Sequence, residues 1–309
     1  MKRLWLLPIL LFSLVPAWAQ PIGGEPVAID AKAADGSALQ LGAMLFKPPQ
    51  PSKGGVVLMH GSGGWSDHRE GHHARALQQA GYTALAVDSF RARGITGIAE
   101  DQLKLHGLLV TRDAFAARRF LIQQGIDPAK TVIMGFSKGG VASLFAADRN
   151  FLVDEVERFK IAIPFYPGCN SFPRRPKPAS SILMILGEKD DYSGVKPCQD
   201  LAADFSKAGG DVTVKVYPDA THGFDGNPAI RSAVRAPTVE NYMDCIAHVE
   251  EDGSITYDGK SYAQGDPEMT KAMQKTCVKK GATIWTNQTQ KNRATADVIE
   301  YLNQKLAAP

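Results

Sequence analysis

The chain runs to 309 residues, 44% hydrophobic and 22% charged, and its 35 basic against 32 acidic side chains leave a formal charge of +3. Acids and bases are mixed along it, and the basic cluster Arg174, Arg175 and Lys177 is interleaved with prolines and reads as an exposed loop. A nucleic-acid or anionic-membrane partner would demand a stronger basic footprint, and none is expected. No glycine-rich dinucleotide or phosphate loop follows a strand-like run, so no cofactor is expected either.

Lys2 and Arg3 precede an apolar run from Leu4 to Val15, interrupted by Pro8 and Ser13, and then the small-x-small site Ala17-Trp18-Ala19. This is the pattern of a cleavable signal peptide over residues 1–19, which places the protein in the periplasm or outside the cell. No later stretch approaches the roughly 20 apolar residues of a membrane span. Residues 20–309 are expected to form one domain, large enough to bury its own core.

Val27–Lys32 and Ala38–Phe46 flank Ala34-Asp35-Gly36-Ser37 and read as a hairpin on a sheet edge. Short apolar runs then recur at Val56–Met59, Thr83–Val87, Thr131–Phe136, Ile161–Phe165, Ile182–Leu186 and Val212–Tyr217. Most lack polar alternation, as strands covered on both faces do. Helical patterns separate them at His72–Ala80, Leu105–Gln124, Val141–Asp148 and Cys198–Lys207, and Ala294–Leu306 closes the chain. Alternating β and α units predict an α/β protein with a mostly parallel, doubly wound sheet. The segment 225–291 fits this alternation badly. It contains the hairpin-like Gly253–Tyr262 and two cysteines, and is expected to be an insert or cap.

An even count of cysteines in an exported chain reads as disulfides. Of the three connectivities, Cys169–Cys198 and Cys245–Cys277 close the least demanding loops.

The stretch Gly135-Phe136-Ser137-Lys138-Gly139 lies directly after a strand and directly before a helix. A sharp turn there lifts a serine hydroxyl above the sheet, and the helix N-terminus behind it favours negative charge. A serine nucleophile needs a base and a group to orient that base. Glu188-Lys189-Asp190-Asp191 leaves one strand and Asp219-Ala220-Thr221-His222-Gly223-Phe224 leaves the next. Loops after the carboxyl ends of parallel strands meet at one edge. Ser137, His222 and Asp190 are therefore the candidate catalytic residues, with Asp191 the alternative acid. The oxyanion hole is expected from the backbone N–H of Lys138 and from Ser62 or Gly63 in "HGSGG", where His60 holds the loop.

These motifs, with "VDSFRARG", "LGEKDD" and "THGF", make the chain resemble the α/β-hydrolases, and within them the exported dienelactone-hydrolase-like proteins, from about Val27 to the final helix. The resemblance implies the α/β-hydrolase fold and Ser137, Asp190 and His222 as a triad. Dienelactone hydrolases proper place a cysteine at the elbow, whereas this chain has Ser137.

Trp65, Phe136, Tyr192 and Arg91 are the candidate substrate-binding residues, with Phe90, Arg93 and Phe224 beside them. His68, His72 and His73 lack partners at metal-ligand spacing and read as a solvated helix start, so no metal is expected. The function these features point to is hydrolysis of a small carboxylic ester or lactone. The alternatives are a peptidase of the same fold and a non-catalytic binding protein on that scaffold.

Overall fold

The computed structural model describes residues 23–307 except Val153, Glu251, Gly253, Gln264 and Gly265. The signal segment expected at 1–19 lies outside the described residues. In chain order the strands are β1 (Glu25–Lys32), β2 (Ala38–Phe46), β3 (Gly55–Met59), β4 (Thr83–Asp88), β5 (Thr131–Phe136), β6 (Ile161–Phe165), β7 (Ser171–Pro173), β8 (Ser181–Gly187) and β9 (Val212–Tyr217). They are followed by β10 (Val234–Asn241), β11 (Ala247–Val249), β12 (Ile255–Tyr257), β13 (Lys260–Tyr262) and β14 (Lys279–Ile284). The helices are α1 (His72–Gln79), α2 (Gly107–Gln123), α3 (Lys138–Ala146), α4 (Val195–Lys207), α5 (Pro267–Thr276) and α6 (Gln288–Leu306).

The main sheet is ordered β1-β2-β4-β3-β5-β6-β8-β9. The β1–β2 hairpin is antiparallel and joins antiparallel to β4, while every pairing from β4 to β9 is parallel. Successive side chains of a strand point to opposite faces, and the sheet divides its residues between two cores accordingly. Val57 and Met59 of β3 face the layer of α2, α3 and α4, with Phe115, Leu144 and Phe205. Val56 and Leu58 face α1 and α6, with Leu77, Val298 and Leu302. The uninterrupted apolar runs in the sequence are the direct result of this double coverage.

The segment between β9 and α6 carries its own small core of Cys245, Ala247, Ile255, Tyr257, Met269 and Met273. There β10 pairs with β14, and β11, β12 and β13 extend from β7 of the main body. The hairpin expected within Gly253–Tyr262 is β12–β13. Asn170 of the body anchors this region, donating from Nδ2 to Tyr242 O at 2.6 Å and Cys245 O at 2.8 Å. Two disulfides, Cys169–Cys198 and Cys245–Cys277, tie the chain as expected. The final helix begins at Gln288, earlier than its apolar periodicity suggested, because Asn287 caps it through Gln290 N.

Candidate active site

The site is assembled at the carboxyl ends of β3, β5, β8 and β9. Ser137 sits between β5 and α3 with φ 51° and ψ −107°, a strained conformation for a residue with a side chain. The turn is held by Ser137 N donating to Phe165 O at 2.9 Å. It tolerates no bulk at its glycines. A Cβ on Gly135 would run into the backbone of Gly139, one on Gly139 into the backbone of Met59, and one on Gly140 would lie 2.8 Å from Phe165 O.

The loop after β8 is pinned to the loop after β9, with Lys189 N donating to Ala220 O at 2.8 Å. Asp190 Oδ1 accepts from the backbone N–H groups of Tyr192 and Ser193, each at 2.8 Å. Its other oxygen, Oδ2, lies 2.9 Å from His222 Nδ1, and His222 Nε2 lies 2.9 Å from Ser137 Oγ. Burial works to raise the Asp190 carboxyl, but His222 and those two backbone N–H groups outweigh it and hold the carboxyl below its ordinary value. An ionised Asp190 puts the imidazole proton on Nδ1 and leaves Nε2 free to accept from the Ser137 hydroxyl. The His222 ring is clasped between Tyr166 and Tyr192, with centroids at 4.8 and 4.6 Å. The neighbouring Asp191 serves elsewhere: it accepts from Arg235 Nη1 and from Thr283 N, both at 2.8 Å.

Lys138 heads α3, and the first amide of that helix to bond back is Val141 N, to Ser137 O at 2.9 Å. The Lys138 N–H thus lies at the open N-terminus beside the serine. Ser62 and Gly63 border the same space. His60 is buried, with Nδ1 2.8 Å from Gly61 O and Nε2 accepting from Ser89 N at 3.1 Å.

Several expectations need correcting. Phe136 is fully buried in the α1–α6 core, on the same face of β5 as Val132 and Met134. Trp65 packs against the same core and lines neither cavity at the serine. The Arg91 side chain is 88% exposed and pairs with Asp88, while Arg93 is committed to Asp113. Phe90 and Phe224 are core residues. His73 belongs to no solvated helix start. It is buried, with Nε2 2.8 Å from Asp225 Oδ2.

That last pair reveals a cluster missed in the sequence. Asp225 also accepts from Tyr166 Oη at 2.5 Å and Arg69 Nε at 3.2 Å. Burial would raise its carboxyl, but the His73 bond and Arg69 hold it well below the usual range. The cluster fixes Tyr166, which in turn supports the His222 ring. Gln102 was missed as well. Its Oε1 accepts from Ser62 Oγ at 2.8 Å, its Nε2 donates to Tyr192 Oη at 2.9 Å, and its carbonyl accepts from Lys138 Nζ at 2.9 Å. Its backbone N–H donates to Glu240 Oε2 at 3.1 Å, so one residue links the loop after β3, the turn at Ser137, the loop after β8 and β10. Burial lowers the Lys138 ammonium to about 8 despite the opposing influence of Glu240.

A serine on a strand-to-helix elbow, hydrogen-bonded to a histidine and through it to a buried carboxylate, all at the carboxyl edge of a parallel sheet, defines an α/β-hydrolase. The model of the dienelactone hydrolase family matches residues 41–251, and the chain belongs to that family. The protein is a carboxylic ester hydrolase of this class. Its fold is similar to that of the thermophilic esterase Est2 from the planctomycete Thermogutta terrifontis, at 20% identity and a TM-score of 0.52 over 67% of this chain and 85% of that one. The propionate-bound form of the same esterase is similar at 20% identity and a TM-score of 0.51, over 66% of this chain and 86% of that one. Its paraoxon-phosphorylated form is similar at 19% identity and a TM-score of 0.51, over 68% of this chain and 88% of that one. No curated protein matches the sequence.

Proposed function

We propose that the protein is an exported serine hydrolase that cleaves carboxylic esters or lactones through an acyl-enzyme on Ser137. The relay carries this reading, with 2.9 Å from Ser137 Oγ to His222 Nε2 and 2.9 Å from His222 Nδ1 to Asp190 Oδ2. Ser137 Oγ attacks the carbonyl carbon as Nε2 takes its proton, and Asp190 stabilises the imidazolium that results. The carbonyl oxygen becomes an oxyanion facing the Lys138 N–H and a backbone N–H of the Ser62–Gly63 loop. One such donor is worth roughly a hundredfold to a thousandfold in rate. Collapse of the intermediate breaks the ester bond, and the proton on Nε2 passes to the departing alkoxide. Water then repeats the sequence on the acyl-enzyme, regenerating the serine and releasing the acid.

The Thermogutta esterase is phosphorylated by paraoxon, and the same reagent tests this chain. Paraoxon should stop hydrolysis of p-nitrophenyl esters, and peptide mass mapping should find the phosphoryl group on Ser137. Full esterase activity in Ser137→Ala would exclude the mechanism. Export rests on the leader at residues 1–19, and its test is the N-terminal sequence of the mature protein, expected to begin at Gln20.

A further inference from the structure

Two cavities share Ser137, Ser62 and Tyr192 on their walls. The first, about 200 Å³, lies between α3 and the insert, and its apolar wall includes Val141, Phe145, Val249, Ile255, Met269 and Met273. The second, about 250 Å³, is bordered by His222, Arg69 and Trp285. His222 does not border the first cavity. The difference orients the substrate. The imidazolium must hand its proton to the leaving alkoxide, so the leaving group occupies the cavity that His222 lines. The acyl group must then take the first cavity, which Ser137 and Lys138 line without His222.

We infer that the insert builds an acyl-binding site for apolar acids, with the alcohol held on the Arg69–Trp285 side. The inference rests on Ser137 as nucleophile and adds the substrate class. Size follows from volume. A dry apolar cavity of about 150 Å³ holds a benzene ring, which is roughly 25 Å³ per carbon. By that ratio the acyl cavity takes about eight carbons, from benzoyl to octanoyl. The insert supplies three methionines to the wall, Met243, Met269 and Met273, and their flexible, unbranched side chains adapt to either a ring or a chain.

The test is kcat/KM for p-nitrophenyl esters from acetate to dodecanoate, together with the benzoate, so that the leaving group never changes. Each added methylene should raise kcat/KM by about threefold to fourfold until the cavity is full. The profile should peak between hexanoate and octanoate and fall at least tenfold by dodecanoate. Met273→Trp, which fills the cavity, should lower the octanoate-to-acetate ratio at least tenfold, and Met269→Phe serves if that variant does not fold. Preference among acetyl esters of increasing alcohol size should not move in either. A wild-type maximum at acetate would overturn the inference, as would variants that alter alcohol preference and spare acyl preference. Ser137→Ala assayed alongside separates the two levels. Turnover that survives it defeats the serine mechanism, whereas serine-dependent turnover with a flat acyl profile defeats the acyl site alone.

Discussion

Exchanging Asp190 for asparagine removes one charge and almost no volume. The side-chain carbonyl can still accept the two 2.8 Å bonds from Tyr192 N and Ser193 N, so the loop has no reason to move. The amide NH₂ then faces His222 Nδ1, where the carboxylate oxygen stood at 2.9 Å. Two donors cannot share that contact, so the imidazole must shift its proton to Nε2. In that tautomer Nε2 offers Ser137 Oγ a proton and cannot take one. The wrong tautomer in a serine triad costs about ten-thousand-fold in kcat, or about 5 kcal/mol of barrier. We expect that loss in Asp190→Asn, with KM changed by less than about tenfold because no substrate contact is touched. Initial rates on a p-nitrophenyl ester measure it, and thermal unfolding checks that the fold is intact. Asp191→Asn is the control. It weakens an exposed pair with Arg235 and should cost about 1 kcal/mol of stability or less. The reasoning is refuted if Asp190→Asn stays within about tenfold of wild-type kcat, and more sharply if Asp191→Asn collapses instead.

Gly135→Ala should yield no stable folded protein, since its Cβ meets the backbone of Gly139 and more than about 4 kcal/mol must be absorbed; soluble yield and circular dichroism report it. Gln102→Leu removes the acceptor of the Ser62 hydroxyl and one donor to Tyr192 Oη, which keeps its bond to Glu240 O, and should lower kcat about tenfold or more while costing ~1–3 kcal/mol of stability. A kcat unchanged in folded Gln102→Leu would deny the residue a positioning role. Glu70 is fully buried, its Oε1 has no hydrogen-bond partner among the described residues, and burial raises its carboxyl to about 7 from an ordinary 4.5. The unfolded chain ionises first, so stability falls as pH rises from about 4.5 to about 7. Glu70→Gln should therefore be more stable than wild type by ~1–3 kcal/mol at pH 8, with the gap closing towards pH 4 in urea melts.

The fold was legible because parallel strands buried on both faces write themselves as unbroken apolar runs, and Val56–Met59 and Ile182–Leu186 were delimited to within a residue. The order of Ser137, Asp190 and His222 was legible because each follows a strand, and such loops converge whatever the helices do. Side-chain direction was harder. Period-two alternation places Phe136 on one face of β5 with Val132 and Met134, and that signal was available in the sequence. Asp266 before Pro267 and Glu268 likewise marks the start of α5. By contrast β10 and β14 mix exposed, half-buried and buried residues and carry no continuous apolar run. The partners of Gln102 and Asp225 come from elements far apart in the chain, and no local pattern encodes such meetings.

The two disulfides join cysteines that are consecutive in the chain, 29 and 32 residues apart, and neither loop encloses the other. That arrangement bears on biosynthesis. A chain emerging amino terminus first presents Cys198 to Cys169 while Cys245 is still to come. Once that bond is closed, Cys245 meets no free thiol until Cys277 follows. Oxidation in order of emergence therefore yields the native pairs directly, without the thiolate exchange that reshuffles misplaced bridges. On that route maturation requires an oxidant and no isomerase.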